Sequence, residues 1–202
     1  PTSLDAYRAA GGFDALTRAV ALGGRAVVDE LEAAGLTGRG GAAFPTAVKW
    51  RAVAAEPGPR HVVVHGDESE PGTFKDRVLL EHDPFAVVEA MLVASVATGA
   101  EHGWIYLRGE YPLAARRLAA AVDQCRDAGL LGAAASGAGH PFDVEIRRGA
   151  GAYVCGEETA LFASIEGFRG EPRSKPPFPT THGLFGRSDE RRVGEEWGGG
   201  GG

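Results

Sequence analysis

Three short segments concentrate the residues able to do chemistry. The first, Gly38-Arg39-Gly40-Gly41-Ala42-Ala43-Phe44-Pro45, opens a predicted helix over Thr46 to Glu56 that carries Lys49 and Trp50 in its first turns. Glycines at 38, 40 and 41 leave the backbone free to take positive φ and to approach a ligand closely. A helix N-terminus presents unpaired N–H groups with a partial positive charge, so the segment suits a phosphate. Arg39 adds a fork of donors and Lys49 a point charge. The same residues also describe a plain turn between two helices. The pattern is neither the Gly-Lys-Ser/Thr loop of nucleoside-triphosphate sites nor a dinucleotide fingerprint following a strand.

The second segment, Gly66-Asp67-Glu68-Ser69-Glu70-Pro71-Gly72, puts three carboxylates directly after the apolar run His61-Val62-Val63-Val64-His65. Open α/β sheets bind ligands at the carboxyl ends of their strands, where such carboxylates accept hydrogen bonds from hydroxyls or an amide. The alternative is a solvated acidic turn. The third, Gly149-Ala150-Gly151-Ala152-Tyr153-Val154-Cys155-Gly156-Glu157-Glu158-Thr159, again joins a glycine-rich turn to a helix start. Acidic residues there are ordinary dipole partners as well as candidate ligands. Cys155 has no base paired with it in the sequence, and the six histidines show no metal-ligand spacing.

The elements that must hold these segments alternate strand with helix. Val27, Val28, Leu31 and Ala34 mark one face of a helix over residues 25 to 34, stopped by Gly35. A strand over 61 to 65 follows, then Asp83-Pro84 as an N-cap and first helical residue, with apolar pattern to Gly99. Trp104 to Arg108 reads as a strand, Pro112 to Ala128 as a helix, Phe142 to Arg147 as an alternating strand, and a last helix runs to Glu166. The repeating unit predicts an α/β domain with a parallel-type sheet flanked by helices. The expected organisation is a helical extension over 1–24, in which Phe13, Leu16, Val20 and Leu22 form a docking face, and the domain over 25–187. A charged, glycine-ended tail over 188–202, with no periodicity that would bury a face, is expected to be disordered or non-native.

The balance of 27 acidic against 21 basic residues, net −6, argues against a duplex-binding surface. Two cysteines thirty positions apart lack zinc or cluster spacing and point to a reducing, cytoplasmic compartment. No run of eighteen apolar residues occurs, so the expectation is a chain that meets a membrane only by docking to a partner.

In order along the chain, the three segments and a fourth, Lys175-Pro176-Pro177-Phe178-Pro179 with Gly183-Leu184-Phe185-Gly186, resemble the signatures of one family. It is the flavin-bearing, NADH-oxidising subunit of respiratory complex I, shared with the diaphorase subunits of NAD-dependent formate dehydrogenases and NAD-reducing hydrogenases. The likeness covers roughly residues 25 to 187. It implies a Rossmann-like domain that binds FMN and NAD(H), hydride transfer between them, and onward electron transfer to iron–sulfur clusters. The family's 4Fe-4S ligands lie in a region this chain does not contain. Implied partners are a thioredoxin-like 2Fe-2S subunit and the other subunits of such an assembly, peripheral at the inner face of the cell membrane. A nucleotide-binding or assembly fragment without redox work is the competing reading.

Position by position, the resemblance assigns Arg39, Gly40, Gly41 and Lys49 to the FMN phosphate and ribityl side, and Asp67, Glu68, Gly156 and Glu157 to the flavin. Tyr153 joins this cofactor-binding set. Phe44, Glu70, Glu158, Lys175 and Phe178 would meet NADH, with the catalytic role given to Glu70 and Glu158. A carboxylate at Glu158 would disfavour the phosphorylated dinucleotide. His65 stands where the family usually has Asn, Ala43 where it has Gly, and Ala52 where some relatives carry an aromatic.

Overall fold

A computed structural model describes residues 1–39, 43–133, 137–149, 155, 157–174, 184–186 and 188–192. Four parallel strands form its sheet, in the order β3-β2-β1-β4. They are β1 (Arg60–Gly66), β2 (His102–Leu107), β3 (Asp143–Arg148) and β4 (Ser188–Arg192). His61 pairs with His102, Trp104 with Glu145, and Arg60 with Ser188. Parallel neighbours need long crossovers. From β1 to β2 the chain passes through α5 (Lys75–His82) and α6 (Pro84–Thr98), and from β2 to β3 through α7 (Pro112–Asp127).

Side chains alternate across a strand, so consecutive valines of β1 enter different cores. Val62 and Val64, with Ile105, Leu107 and Val144, meet Leu80, Met91, Leu92, Leu118 and Val122 from the crossover helices. Val63, Trp104 and Tyr106 meet Leu161, Phe162 and Ile165 of α8 (Glu158–Ile165), together with Leu184. Both faces of the sheet are covered, which is why β1 reads as a continuous apolar run. α6 lies within the larger core and is buried around most of its circumference. Gly99, at φ 71°, ends it in the left-handed conformation.

Helices α1 (Leu4–Ala9) and α2 (Asp14–Leu22) come first in the chain, followed by α3 (Gly24–Ala33) and α4 (Thr46–Ala55). The packing of α1 and α2 differs from the expected face: Phe13 and Leu16 are buried with Leu4, Tyr7 and Ala19, whereas Val20 and Leu22 stay exposed. A carboxylate directs this docking. Glu89, in the middle of α6, accepts hydrogen bonds from Tyr7 Oη (2.6 Å), Phe13 N (2.9 Å) and Leu16 N (3.1 Å). Phe13 takes φ 67°, which turns the chain into α2.

Three further differences concern element boundaries. Sequence patterning passed over α5, which is short and leaves Val78 and Leu79 outside. Asp83 directly precedes Pro84 as expected, but its side chain makes no cap bond. It closes α5 instead, its N–H donating to Leu79 O at 2.8 Å, so α5 and α6 share one residue as their boundary. Residues 188–192, expected in a disordered tail, form β4 alongside β1. Residues 193–202 lie outside the described set. Among the described residues no helix is long and apolar enough to cross a membrane, no group of acidic, histidine or cysteine side chains could hold a metal, and both cysteines are buried free thiols.

Candidate functional site

With β2 on one side of β1 and β4 on the other, the strand order reverses beside β1, and such a switch point is where open α/β sheets bind ligands. At this carboxyl end the acidic loop holds its first two carboxylates inside the protein. Asp67 is buried; its Oδ1 accepts from Ser69 Oγ at 2.7 Å and lies 3.8 Å from Arg108 Nε. Burial raises its pKa, against the opposing pull of the Ser69 hydroxyl and the Arg108 charge.

Glu68 faces the start of α5. Its two carboxylate oxygens accept from the backbone N–H groups of Asp76 (3.1 Å) and Arg77 (3.2 Å), and Tyr111 Oη donates to Oε2 at 3.2 Å. The side chain therefore caps a helix that begins seven residues later in the chain. Glu70 is exposed at the turn, its carbonyl accepting from Thr73 N (3.2 Å) and Thr73 Oγ1 (2.7 Å).

Arg108, at the carboxyl end of β2, was not singled out from the sequence. Its Nη1 donates to the Glu68 carbonyl, its Nη2 and Nε meet the Glu110 carboxylate at 3.1 and 3.4 Å, and its guanidinium lies 5.4 Å from the Tyr111 ring centroid. It ties the loop after β1 to the turn after β2. The available signal was positional: Arg108 follows its strand much as Asp67 follows β1. The ends of β2 and β3 also come together tightly, since a Cβ on Gly149 would lie 2.4 Å from Tyr106 Oη.

The first glycine-rich segment is closed by a narrow antiparallel neck. Gly38 N donates to Phe44 O and Thr46 N to Leu36 O, both at 3.0 Å, with Thr37 bridging Pro45. Arg39 is exposed near the tip, and Lys49 is half-buried on α4. Phe44 and Val48 are both exposed, at 41% and 48%. Ala43 holds φ 50° in the left-handed region, a conformation suited to the glycine usual there in the resemblance. Gly40 and Gly41 lie outside the described residues.

The third segment enters α8 through a side-chain cap. Glu157 accepts from the backbone N–H groups of Thr159 (2.8 Å) and Ala160 (3.0 Å) and from the Thr159 hydroxyl. Glu158 follows in the first turn, 3% exposed. Thr159 Oγ1 accepts from Arg173 N at 2.7 Å, bringing the following loop back over the helix start. The sheet is tied to α8 by Tyr106 Oη and Ser164 Oγ at 3.0 Å, and to the residues before it by His65 Nε2 and Cys155 O at 3.0 Å. Tyr153, Gly156, Lys175 and Phe178 lie outside the described residues.

A switch point with buried carboxylates, a cationic glycine-rich loop feeding one helix and a capped acidic turn feeding another suits a phosphate-bearing, hydroxyl-rich ligand. The family description that fits is narrower: the Nuo51 FMN-binding domain matches residues 31–186. The chain belongs to this family. Among relatives, it is 45% identical over 185 residues to an NADH-quinone oxidoreductase subunit of Aquifex aeolicus, covering 92% of this chain and 43% of that protein. It is 48% identical over 186 residues to NADP-reducing hydrogenase subunit HndC of Solidesulfovibrio fructosivorans, covering 92% and 38%. Among solved structures, an NAD+-reducing NiFe-hydrogenase in its H2-reduced state superposes with a TM-score of 0.76 at 42% identity, over 85% of this chain and 29% of that one. The chain thus spans well under half the length of these relatives, and the part that it spans is the family's FMN-binding domain.

Proposed function

We propose that the chain is the nucleotide-binding part of an NADH dehydrogenase (diaphorase) flavin subunit, binding FMN and NADH and supporting hydride transfer between them. The family match over 31–186 carries this reading. The residues present fit the flavin nucleotide: Arg39, Lys49 and the start of α4 offer positive charge for its phosphate. The polar carboxyl end of β1 offers partners for its hydroxyls and ring. FMN, when bound, supplies the two-electron acceptor that can release electrons one at a time.

The protein's part is to bind, orient and exclude water. Arg39, Gly40, Gly41 and Lys49 would hold the phosphate and ribityl side, with Asp67, Tyr153 and Gly156 nearer the ring. Phe44, Glu70, Lys175 and Phe178 would receive the dinucleotide, Phe44 through its exposed ring face. Glu68 and Glu157 act one step removed, because both already cap helices: Glu68 orders the start of α5 and Glu157 the start of α8. Glu158, behind that cap, would set the preference for NADH over its phosphorylated form. In a full-length protein, electrons would pass to 4Fe-4S and 2Fe-2S centres on further domains and on a thioredoxin-like partner subunit. The assembly would be of the complex I, formate dehydrogenase or hydrogenase type.

An anaerobic absorbance titration tests this, first with FMN and then with NADH. Saturable FMN binding followed by bleaching of the flavin band on NADH addition is the expected result. FMN binding without bleaching, or failure to bind FMN, would refute it and favour the competing reading, a nucleotide-binding or assembly fragment without redox work.

A further inference from the structure

His65 is the last side chain of β1 on the α8 face and is 3% exposed. Its Nε2 lies 3.0 Å from the Cys155 carbonyl oxygen, and the Asp67 backbone N–H reaches its Nδ1 at 3.3 Å. A carbonyl only accepts and a backbone N–H only donates. Both contacts together therefore require a proton on Nε2 and none on Nδ1, which is one neutral tautomer of imidazole.

We infer that His65, as the Nε2–H tautomer, is a positioning residue that holds the acidic loop after β1 and the segment entering α8 at a fixed separation, and so sets the width of the flavin site. The inference rests on the proposed function. The two backbones that it joins, at Asp67 and Cys155, belong to the second and third chemistry-bearing segments, and the ring spans them from inside the sheet. The Tyr106–Ser164 hydrogen bond fixes α8 to β2, but nothing in it constrains Asp67. His65 is bonded to both loop backbones. An asparagine carboxamide likewise combines N–H donors with an acceptor oxygen. Such a substitution keeps the donor–acceptor pair and changes the side chain that carries it.

The test compares wild type, His65→Asn and His65→Phe by flavin-fluorescence titration with FMN. Imidazole 15N chemical shifts of the flavin-free wild-type chain, at one neutral pH, supply a readout that a space-filling role would not set. The expected result is a pyridine-type Nδ1 and a pyrrole-type Nε2. His65→Asn should bind FMN within about threefold of wild type, and His65→Phe roughly 30-fold more weakly, the factor that two net hydrogen bonds correspond to. A protonated Nδ1, or an Asn variant as weak as Phe, would overturn the inference, as would equal affinity of Phe variant and wild type. Should His65→Phe not fold, the nitrogen shifts and the Asn variant decide. Failure of the wild type to bind FMN would overturn the functional reading, and the nitrogen shifts would then still accept or reject the tautomer.

Discussion

Replacing Glu68 by Gln separates a structural role at the edge of the site from a chemical one. The carboxylate accepts three hydrogen bonds, from Asp76 N, Arg77 N and Tyr111 Oη, at 3.1 to 3.2 Å, in a buried setting. A carboxamide of the same shape presents one acceptor oxygen. In its best orientation it keeps Arg77 and Tyr111 and turns its NH2 toward the Asp76 N–H. One bond to a charged group is lost, worth about 1.5–3 kcal/mol. Its favourable charge at the start of α5 is lost as well, worth about 0.3–1 kcal/mol. Together these loosen α5 by about 2–4 kcal/mol, which is roughly 30- to 900-fold faster amide exchange by local opening. Hydrogen exchange of the native chain measures this directly, comparing α5 amides such as Val78, bonded to Phe74 O at 3.0 Å, with those of α7. Acceleration in α5 with α7 unchanged is expected. Exchange in α5 within threefold of wild type would show that Glu68 is not what holds the helix start.

Other substitutions probe separate links. Glu89→Ala leaves the donors at Tyr7, Phe13 and Leu16 without their shared acceptor and should cost about 3–5 kcal/mol in urea unfolding, with a loss below 1 kcal/mol refuting the account. Burial raises the Asp67 pKa above its ordinary 3.8, so the folded state favours the protonated acid, and stability present below 3.8 is lost as pH rises through the folded value. Asp67→Asn should therefore gain on wild type as pH climbs from 3.8 toward neutrality; a gap in urea midpoints that narrows over this range would contradict the assignment. Ala43→Gly relieves a left-handed alanine and should raise unfolding free energy by about 1 kcal/mol, whereas a fall in the urea midpoint would show that the conformation is not strained. Glu158→Gln should raise the affinity for NADPH relative to NADH, read by competition titration; an unchanged ratio would remove Glu158 from dinucleotide selection.

How much of this was legible in the sequence depended on how local the determining contact is. Val62 to Val64, Pro84 and Gly99 declare a buried strand, a helix start and a helix stop through their own covalent properties, and those elements stand where the pattern put them. The start of α5 was not legible, because its cap comes from Glu68 across the loop and its outer face carries Val78 and Leu79, which blur the amphipathic signal. The family signatures singled out Asp67, Glu68, Glu157 and Glu158 as candidates, but did not show that Glu68 and Glu157 are engaged by backbone N–H groups. Arg108 stayed unread because the contacts that join it to the acidic loop, to Glu68 and Asp67, span forty residues and more of the chain. β4 was missed for a similar reason: Ser188 to Arg192 has no apolar alternation, and its strand is defined by backbone pairing to β1.

The carboxylate on α6 has one more consequence. Apolar helix faces slide past each other at little cost, and α2 meets α6 largely through such surfaces. Glu89 gives that interface an address: displaced by one turn along α6, the donors of Tyr7, Phe13 and Leu16 would face hydrocarbon instead of an anion. The N-terminal pair can seat correctly or detach, with no intermediate register in between. It should therefore leave and return as one cooperative unit, in a single exchange step distinct from the opening of the sheet.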